Sequence, residues 1–327
     1  MKAWQLSRTG EPEEVLELAD VPRPAPGPGQ LLVRVLAAAA NFPDLLMCRG
    51  AYQVRPPLPF TPGAELCGEV VELGAGTAGF AVGDRVIGGA ALPSGGFAEY
   101  ALMDAARSFP APRELDDAEA APFMVTYQTG WFGLHRRAQL QSGETLLVHA
   151  AAGGVGSGAV QLGKAAGARV IGVVGGERKA ALARELGADV VVDRHQEDFV
   201  AVVKEVTGGR GADVVYDPVG GDTFAKSTKC IAFEGRIAVI GFASGTIPSA
   251  ALNHALVKNY SIVGVHWGLY ERVAPGMVVD CHAELARLVT AGQIRTLVTE
   301  RLPLAEVPDG LRRLGEGSTV GRIAFIP

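Results

Sequence analysis

The chain has 327 residues, which at about 150 residues per domain points to two domains. Hydrophobic residues make up 48% and charged residues 20%, ordinary globular usage that excludes wholesale disorder. Thirty lysines and arginines stand against 35 aspartates and glutamates, a net charge of −5, so there is no basic excess to neutralise a phosphate backbone and nucleic-acid binding is disfavoured as the main task. Cys48, Cys67, Cys230 and Cys281 lie far apart and form no CxxC pair, which is neither a disulfide framework nor a zinc knuckle. The opening MKAWQLSRTG lacks a signal-peptide core, and apolar stretches such as TLLVHAAAGGVG are broken well before they reach membrane length. These features predict a cytoplasmic protein that does not span a membrane.

Ten of the 20 prolines fall within the first 62 residues. Between and just beyond them stand short β-prone runs, Leu31–Val35, Gly68–Leu73 and Arg85–Ile87, the pattern of a small antiparallel barrel or sandwich. From about residue 120 the texture changes. Short apolar strands, predicted at Thr145–Ala150, Arg169–Val174, Asp189–Asp193, Asp213–Tyr216, Arg236–Ile240 and Ser261–Val265, alternate with helical patterns such as ERKAALAREL at 177–186. That alternation implies a parallel, doubly wound sheet. A helix over His282–Thr290 and a strand over Arg322–Phe325 complete the chain, and this tail is expected to return to the first domain.

The strongest local signal runs from the strand at 145 into a Gly-rich turn, a helix and a second strand. The spacing Ala151-x-Gly153-x-x-Gly156 matches G-x-G-x-x-G with alanine in first place. Small residues at Ala152, Gly153, Gly154, Val155 and Gly156 let the backbone approach a diphosphate, whose charge the free N–H groups of the helix start stabilise. The alternative is a tight strand–helix turn with no ligand. The second strand ends in Val173-Val174-Gly175-Gly176, without the carboxylate that normally binds an NAD ribose. Small residues leave room for a 2′-phosphate, and Lys179, with Arg178 and Arg194, supplies compensating charge, so the cofactor read here is NADPH. Glu177, which is placed to reach a ribose, argues the other way.

Several motifs together resemble the medium-chain dehydrogenase/reductases, and in particular the zinc-free, zeta-crystallin-like NADPH:quinone oxidoreductases. They are NFPDLLMCRGAY (41–52), PGAELCGEVVELG (62–74), VGDRV (82–86), HAAAGGVG (149–156), VVYDPVGG (214–221) and GFASG (241–245). The resemblance implies an α/β fold, in which a Rossmann doubly wound parallel sheet at 122–265 binds NADP. It places a GroES-like antiparallel β-barrel catalytic domain at 1–121, with 266–327 returning to that domain. Zinc-dependent relatives carry Cys where Asn41 stands and His where Ala64 stands, so no metal is expected. Without a Lewis acid the favoured direction is reduction of an electrophilic acceptor.

Site residues follow from the same motifs. Asn41 is placed near the nicotinamide as a hydrogen-bond donor to substrate or cofactor, or else caps a helix. Asp44, three residues on, is a catalytic candidate or a cap. The Tyr52 phenol is a donor to a developing oxyanion or a pocket wall. Leu46 stands where many relatives carry Tyr and is expected to give the cofactor's pocket a more apolar side. Thr129, the loop Gly241-Phe242-Ala243-Ser244 and the stretch Val265-His266-Trp267 match positions that contact the cofactor in relatives. Arg322 reads as a surface charge, His149 as a satisfied interior residue, and Cys48 and Cys67 as small buried groups. The implied activity is hydride transfer from NADPH, bound in a cleft between the domains, to a quinone or enone by a homodimer. A 2-alkenal or enoyl-thioester reductase and a non-catalytic NADPH-binding protein are the alternatives.

Overall fold

Fourteen strands and a set of mostly short helices build the protein, and the computed structural model describes all residues 1–327. The chain divides into two units, one formed by Met1–Val125 with Arg295–Pro327 and the other by Thr126–Ile294. No helix is long and apolar enough to cross a membrane.

In the first unit, β1 (Lys2–Leu6) and β2 (Leu16–Asp20) pair antiparallel. The main sheet contains β3 (Gln30–Ala39), β4 (Glu65–Leu73), β5 (Arg85–Ala90) and β6 (Tyr100–Pro110). Successive strands pair antiparallel from β3 to β6, and β6 pairs again with β3, so the four strands return on themselves. Alternation is only partial along β3, because its central position buries residues from both faces. Leu31, Val33, Val35, Leu66, Val86 and Phe97 form the centre of the apolar core. The last strands of this unit, β13 (Val298–Pro303) and β14 (Arg322–Ile326), extend the sheet; β14 lies between β13 and β3, with Ala324 opposite Ala39 and Phe325 opposite Ala38. The Phe325 ring meets Phe97 edge-on at 5.4 Å.

The second unit is a six-stranded parallel sheet of β7 (Thr145–His149), β8 (Arg169–Val174), β9 (Val190–Asp193), β10 (Ala212–Asp217), β11 (Ile231–Val239) and β12 (Ser261–Gly264). Their spatial order is β12-β11-β10-β7-β8-β9, the doubly wound arrangement whose ligands lie beyond the strands' carboxyl ends. The central strands β7 and β10 are buried throughout, which is why TLLVH and ADVVYD read as continuous runs and not as alternations. Most of their polar members are paired, the buried Tyr216 hydroxyl being the exception. Thr145 N–H donates to Asp213 Oδ2 at 2.7 Å, and His149 Nε2 lies 2.8 Å from Ser227 Oγ, the satisfied interior histidine that the sequence suggested. Burial pulls that imidazole down to about 3, so it stays neutral.

The stretch 266–294, read from sequence as part of the returning tail, packs instead with the second unit, and the return begins at Arg295. Aromatic and polar contacts explain the difference. Tyr270 stacks on Phe132 with ring centres 4.1 Å apart, and Trp131 Nε1–H donates to Glu284 Oε2 at 2.8 Å. These contacts tie the helices Trp267–Val273 and Pro275–Thr290 to the unit that carries Phe132.

Candidate active site

Two groups of residues, one in each unit, gather the chemistry. In the second unit the chain leaves β7 through Ala150, held at φ +51°, a left-handed conformation uncommon for alanine. This turns the backbone sharply so that Gly153 N–H donates to Ala150 O at 2.8 Å. The helix Gly154–Ala165 starts immediately after, and its N-cap, Gly153, has no side chain to cap it. The N–H groups of the first helical turn therefore have no intrahelical acceptor. Gly156 packs so closely that a Cβ there would stand 2.1 Å from Ala150 O; at Gly153 the nearest atom would be the same oxygen at 3.2 Å. Gly156 serves helix–strand packing, while Gly153 leaves backbone open on the outer side. Gly153, Gly154 and Val155 are partly accessible, and Ala152 and Gly156 are buried.

Around this turn the ends of the other strands contribute the remaining residues singled out by sequence. At the end of β8, a Cβ on Gly175 would lie 3.1 Å from the Arg194 guanidinium, so that cation covers the glycine. Lys179, one helical turn beyond Gly176, is half-buried; burial and then the Arg194 charge pull its ammonium below the usual lysine range. Arg194 thus covers Gly175, and Lys179 lies close enough to feel its charge. Glu177 is turned away, accepting from Arg184 Nη1 at 2.9 Å. After β11, the loop carrying Gly241, Phe242, Ala243 and Ser244 is knitted to the turn after β10. Ala243 N–H donates to Pro218 O, Ser244 N–H to Val219 O and Gly221 N–H to Thr246 O, at 3.0 to 3.1 Å. Asp217 Oδ1 in turn accepts from Val219 and Gly220 N–H. After β12, Val265 N–H donates to Val239 O and His266 is exposed. The Trp267 indole donates to Gln128 Oε1 at 2.8 Å, which anchors this stretch beside the buried Thr129. All these segments lie at the carboxyl ends of parallel strands or are tied to one.

The first unit holds a buried polar centre. Asn41 precedes the helix Phe42–Cys48 but does not cap it with its side chain. Asp44 instead reaches back, Oδ2 accepting from Asn41 N–H and Oδ1 from Ala64 N–H, each at 2.9 Å. The carboxyl is fully buried, and burial raises it to about 7 against the pull of these backbone donors. The Asn41 carboxamide donates from Nδ2 to Glu65 Oε2 at 3.2 Å and to Ala39 O at 3.4 Å, and its Oδ1 accepts from Arg322 Nη2 at 2.7 Å. Both N–H bonds of the amide are thereby directed inward, leaving one oxygen lone pair unassigned.

Glu65 stands inside the motif PGAELCGEVVELG without being singled out there. It is buried, accepts from Val125 N–H at 2.7 Å through Oε1, and lies 3.5 Å from Arg322 Nη2 through Oε2. Burial holds its carboxyl at about 7 in spite of that guanidinium. Arg322 is not the surface charge expected from sequence. It is only 6% exposed, because β14 is covered on both faces. Tyr52 is partly buried against the same core, and burial together with the Asp44 charge keeps its phenol above the ordinary range. Leu46 is partly exposed. Cys48 and Cys67 are buried thiols pushed up to about 12, inert as expected.

The chain matches the zinc-binding dehydrogenase family over residues 154–281 and the alcohol dehydrogenase GroES-like domain over residues 27–113. It is 36% identical over 301 residues to the quinone oxidoreductase-like protein 2 homolog of Nematostella vectensis, covering 91% of this chain and 82% of that protein. The chain belongs to the medium-chain dehydrogenase/reductases, among the zeta-crystallin-like quinone oxidoreductases. Solved members of this family superpose over the full chain. A mycobacterial protein complexed with NADPH aligns with TM-score 0.92 at 33% identity, covering all of both chains. The quinone oxidoreductase of Escherichia coli complexed with NADPH aligns with TM-score 0.92 at 30% identity, again covering all of both.

The family's description raises a zinc ion, and the residues at the polar centre do not fit one. No three His, Cys, Asp or Glu side chains stand together in a ligating group. Asn41 turns its amide hydrogens, not a thiolate, toward Glu65, and the Arg322 guanidinium lies against both. A fixed cation in hydrogen-bond contact with the only nearby donors repels a second one.

Proposed function

We propose that this quinone oxidoreductase-like chain is an NADPH-dependent, zinc-independent reductase whose acceptor is a quinone. The observation that carries the cofactor choice is the Arg194 guanidinium over Gly175 with Lys179 near that charge, and Glu177 bound to Arg184. Two cations over a floor without a side chain suit a 2′-phosphate, and a carboxylate committed elsewhere does not oppose it. The diphosphate falls to the free N–H groups at Gly154–Gly156, and the loops at 241–244 and 265–267 complete the holding surface with Thr129. Full-length similarity to two proteins solved with NADPH supports the same reading.

Bound there, the reduced cofactor supplies a hydride, and one further proton converts a quinone to the hydroquinone. The chain's own part is to bind, orient and donate. Tyr52 remains protonated at neutral pH and is a hydrogen-bond donor for the charge that develops on a quinone oxygen. Asn41 presents a fixed carboxamide. Asp44, with both oxygens bound to backbone, organises the Asn41–Cys48 segment. With no Lewis acid in this arrangement, the substrate must bring its own electrophilicity, as quinones do.

Loss of NADPH absorbance is expected with 1,2-naphthoquinone and not with simple ketones; no turnover with any quinone, with NADPH binding confirmed by calorimetry, overturns the assignment. The double variant Lys179→Ala/Arg194→Ala is expected to weaken NADPH about 30-fold, roughly one tenfold step per partly exposed phosphate contact with some overlap. NADH should bind within about twofold of the parent; equal losses for both cofactors would place these cations elsewhere.

A homodimer belongs to the same proposal. Strand β12 is an open sheet edge, and the preceding helix Leu252–Lys258 has no buried residue although Leu256 and Val257 are each more than three quarters exposed. Beside them Ile262 on β12 is also exposed. An apolar helix flanking an unpaired strand is suited to a second copy related by a twofold axis, which pairs β12 with itself and covers both helices. Light scattering should give twice 34.0 kDa for the parent. Leu256→Lys/Ile262→Lys should give the single-chain mass, and a parent already at that mass rules the pairing out.

A further inference from the structure

We propose that Arg322 is a positioning residue, which by donating from Nη2 to Asn41 Oδ1 while lying against Glu65 fixes which way round the Asn41 carboxamide is held at the polar centre. This deepens the proposed function and rests on the polar centre being the acceptor's site. A carboxamide is nearly symmetric in shape, so sterics alone do not tell its oxygen from its nitrogen; only its partners do. Here the partners are opposites. The Arg322 guanidinium has donors and no acceptor, and the ionised Glu65 carboxylate, the form that guanidinium favours, has acceptors and no donor. With Oδ1 toward Arg322 at 2.7 Å and Nδ2 toward Glu65 at 3.2 Å, both demands are met. Rotating the amide by half a turn would set N–H against N–H on one side and oxygen against oxygen on the other.

Glu65 is itself immobilised, since its second oxygen accepts from Val125 N–H at 2.7 Å. The direction of the amide is therefore written by two residues that lie 24 and 281 positions away from it in the chain. A stabilising role alone accounts poorly for Arg322. The guanidinium is almost completely buried, and its Nε–H, also buried, has no partner. Buried ion pairs of this kind often stabilise no better than an apolar replacement, and an unsatisfied buried donor adds a cost. What the arrangement supplies is a single orientation. The charged and titratable groups facing the centre are Asp44, Glu65, Arg322 and Tyr52.

The sequence makes a direct test possible, because it contains only three asparagines, and Asn253 and Asn259 are exposed. In protein labelled with 15N on asparagine alone, one side-chain amide pair should exchange slowly with solvent, that of Asn41. Four variants are compared: Arg322→Met, Arg322→Lys, Glu65→Gln and Arg322→Met/Glu65→Gln. In Arg322→Met the slow pair should shift and exchange at least tenfold faster. Its kcat with 1,2-naphthoquinone should fall tenfold or more, with NADPH affinity held within twofold because the glycine turn is untouched. Arg322→Lys, which keeps one donor and the charge, should retain the slow pair and recover kcat to within about threefold. Glu65→Gln, which can offer its amide either way round, should also quicken exchange and lower kcat. The double variant removes both buried charges, so its melting temperature should return toward that of the parent while kcat stays low.

An Asn41 pair unchanged in Arg322→Met overturns the proposal. So does a double variant that regains kcat together with thermal stability, since Arg322 would then be structural only. If the parent itself turns over no quinone, the functional reading fails, and the amide exchange still decides the orientation.

Discussion

Gly156→Ala should all but abolish NADPH binding, raising the dissociation constant at least 100-fold. The added methyl group would stand 2.1 Å from Ala150 O and 2.8 Å from its carbonyl carbon, and both are backbone atoms that cannot rotate away. The helix Gly154–Ala165 must then lift off β7, or the turn at Ala150 must open, and Ala150 is already held in an uncommon left-handed conformation. Either movement takes the first-turn N–H groups out of register with a diphosphate. Overpacking of this kind costs about 1–3 kcal/mol in the free protein, so the melting temperature without ligand should fall as well. Gly153→Ala separates the two uses of glycine. Its methyl group meets only Ala150 O, at a tight but tolerable 3.2 Å, so the free protein should keep its stability. The same methyl group lies where a diphosphate approaches, and affinity should drop roughly tenfold, about 1.4 kcal/mol. Calorimetric titration with NADPH, paired with melting curves of the free variants, checks both. Full affinity in Gly156→Ala would mean that the turn is not the cofactor's seat.

Asp44→Ala should destabilise the first unit more than any other single change at the polar centre. Its carboxylate accepts from the buried Asn41 N–H and from the partly buried Ala64 N–H. Removing the acceptor strands these donors at about 1–3 kcal/mol each, or about 3–5 kcal/mol in all. For a unit of this size that lowers the melting temperature by about 10 °C. Scanning calorimetry should show this fall while the stabilisation that added NADPH gives is retained. An unchanged melting temperature would contradict the assignment of Asp44 to local organisation.

The pH dependence has a definite sign. Burial raises the Asp44 carboxyl from 3.8 to about 7, so the native chain holds this proton more tightly than the unfolded chain does. The corresponding stability is complete below pH 3.8 and is lost as pH climbs to about 7. Relative to Asp44→Asn, which does not titrate, the parent's advantage in melting temperature should shrink between pH 5 and 7 and then level off. Glu65 is raised in the same direction and adds to the parent's slope in that window. A growing advantage over the same range would show that Asp44 is ionised throughout.

The parallel-sheet unit was legible because its signals are local. A glycine spacing, the strand before it and the helix after it all lie within Thr145–Val174, and β8 runs over Arg169–Val174 as the β-branched pattern indicated. The polar centre was half legible. Asn41 and Asp44 stand in one short segment, and the bond from Asn41 N–H to the Asp44 carboxylate follows from a three-residue spacing on a helix start. Arg322 was misjudged for a physical reason. A lone arginine in RIAFI looks like the exposed position of an edge strand, and nothing nearby in sequence shows that β13 lies along one side of β14 and β3 along the other. Glu65 gave a weak signal, a carboxylate at the head of the apolar strand ELCGEVVEL, and its partners Asn41, Val125 and Arg322 lie at distances where pattern carries no information. The boundary near residue 266 was misplaced in the same way, since Tyr270 and Glu284 show their allegiance only through Phe132 and Trp131.

The path of the chain has a consequence for biogenesis. Residues 126–294 are synthesised between the two parts of the first unit, and β14 slots in beside β3 only after that long interval. During translation the nucleotide module can mature while its companion still lacks two strands and the guanidinium that faces Asn41. A nascent polypeptide stalled before residue 295 would therefore present an incomplete sheet, with the edge of β3 uncovered, to chaperones and proteases, and quality control would act on the interrupted unit before the continuous one.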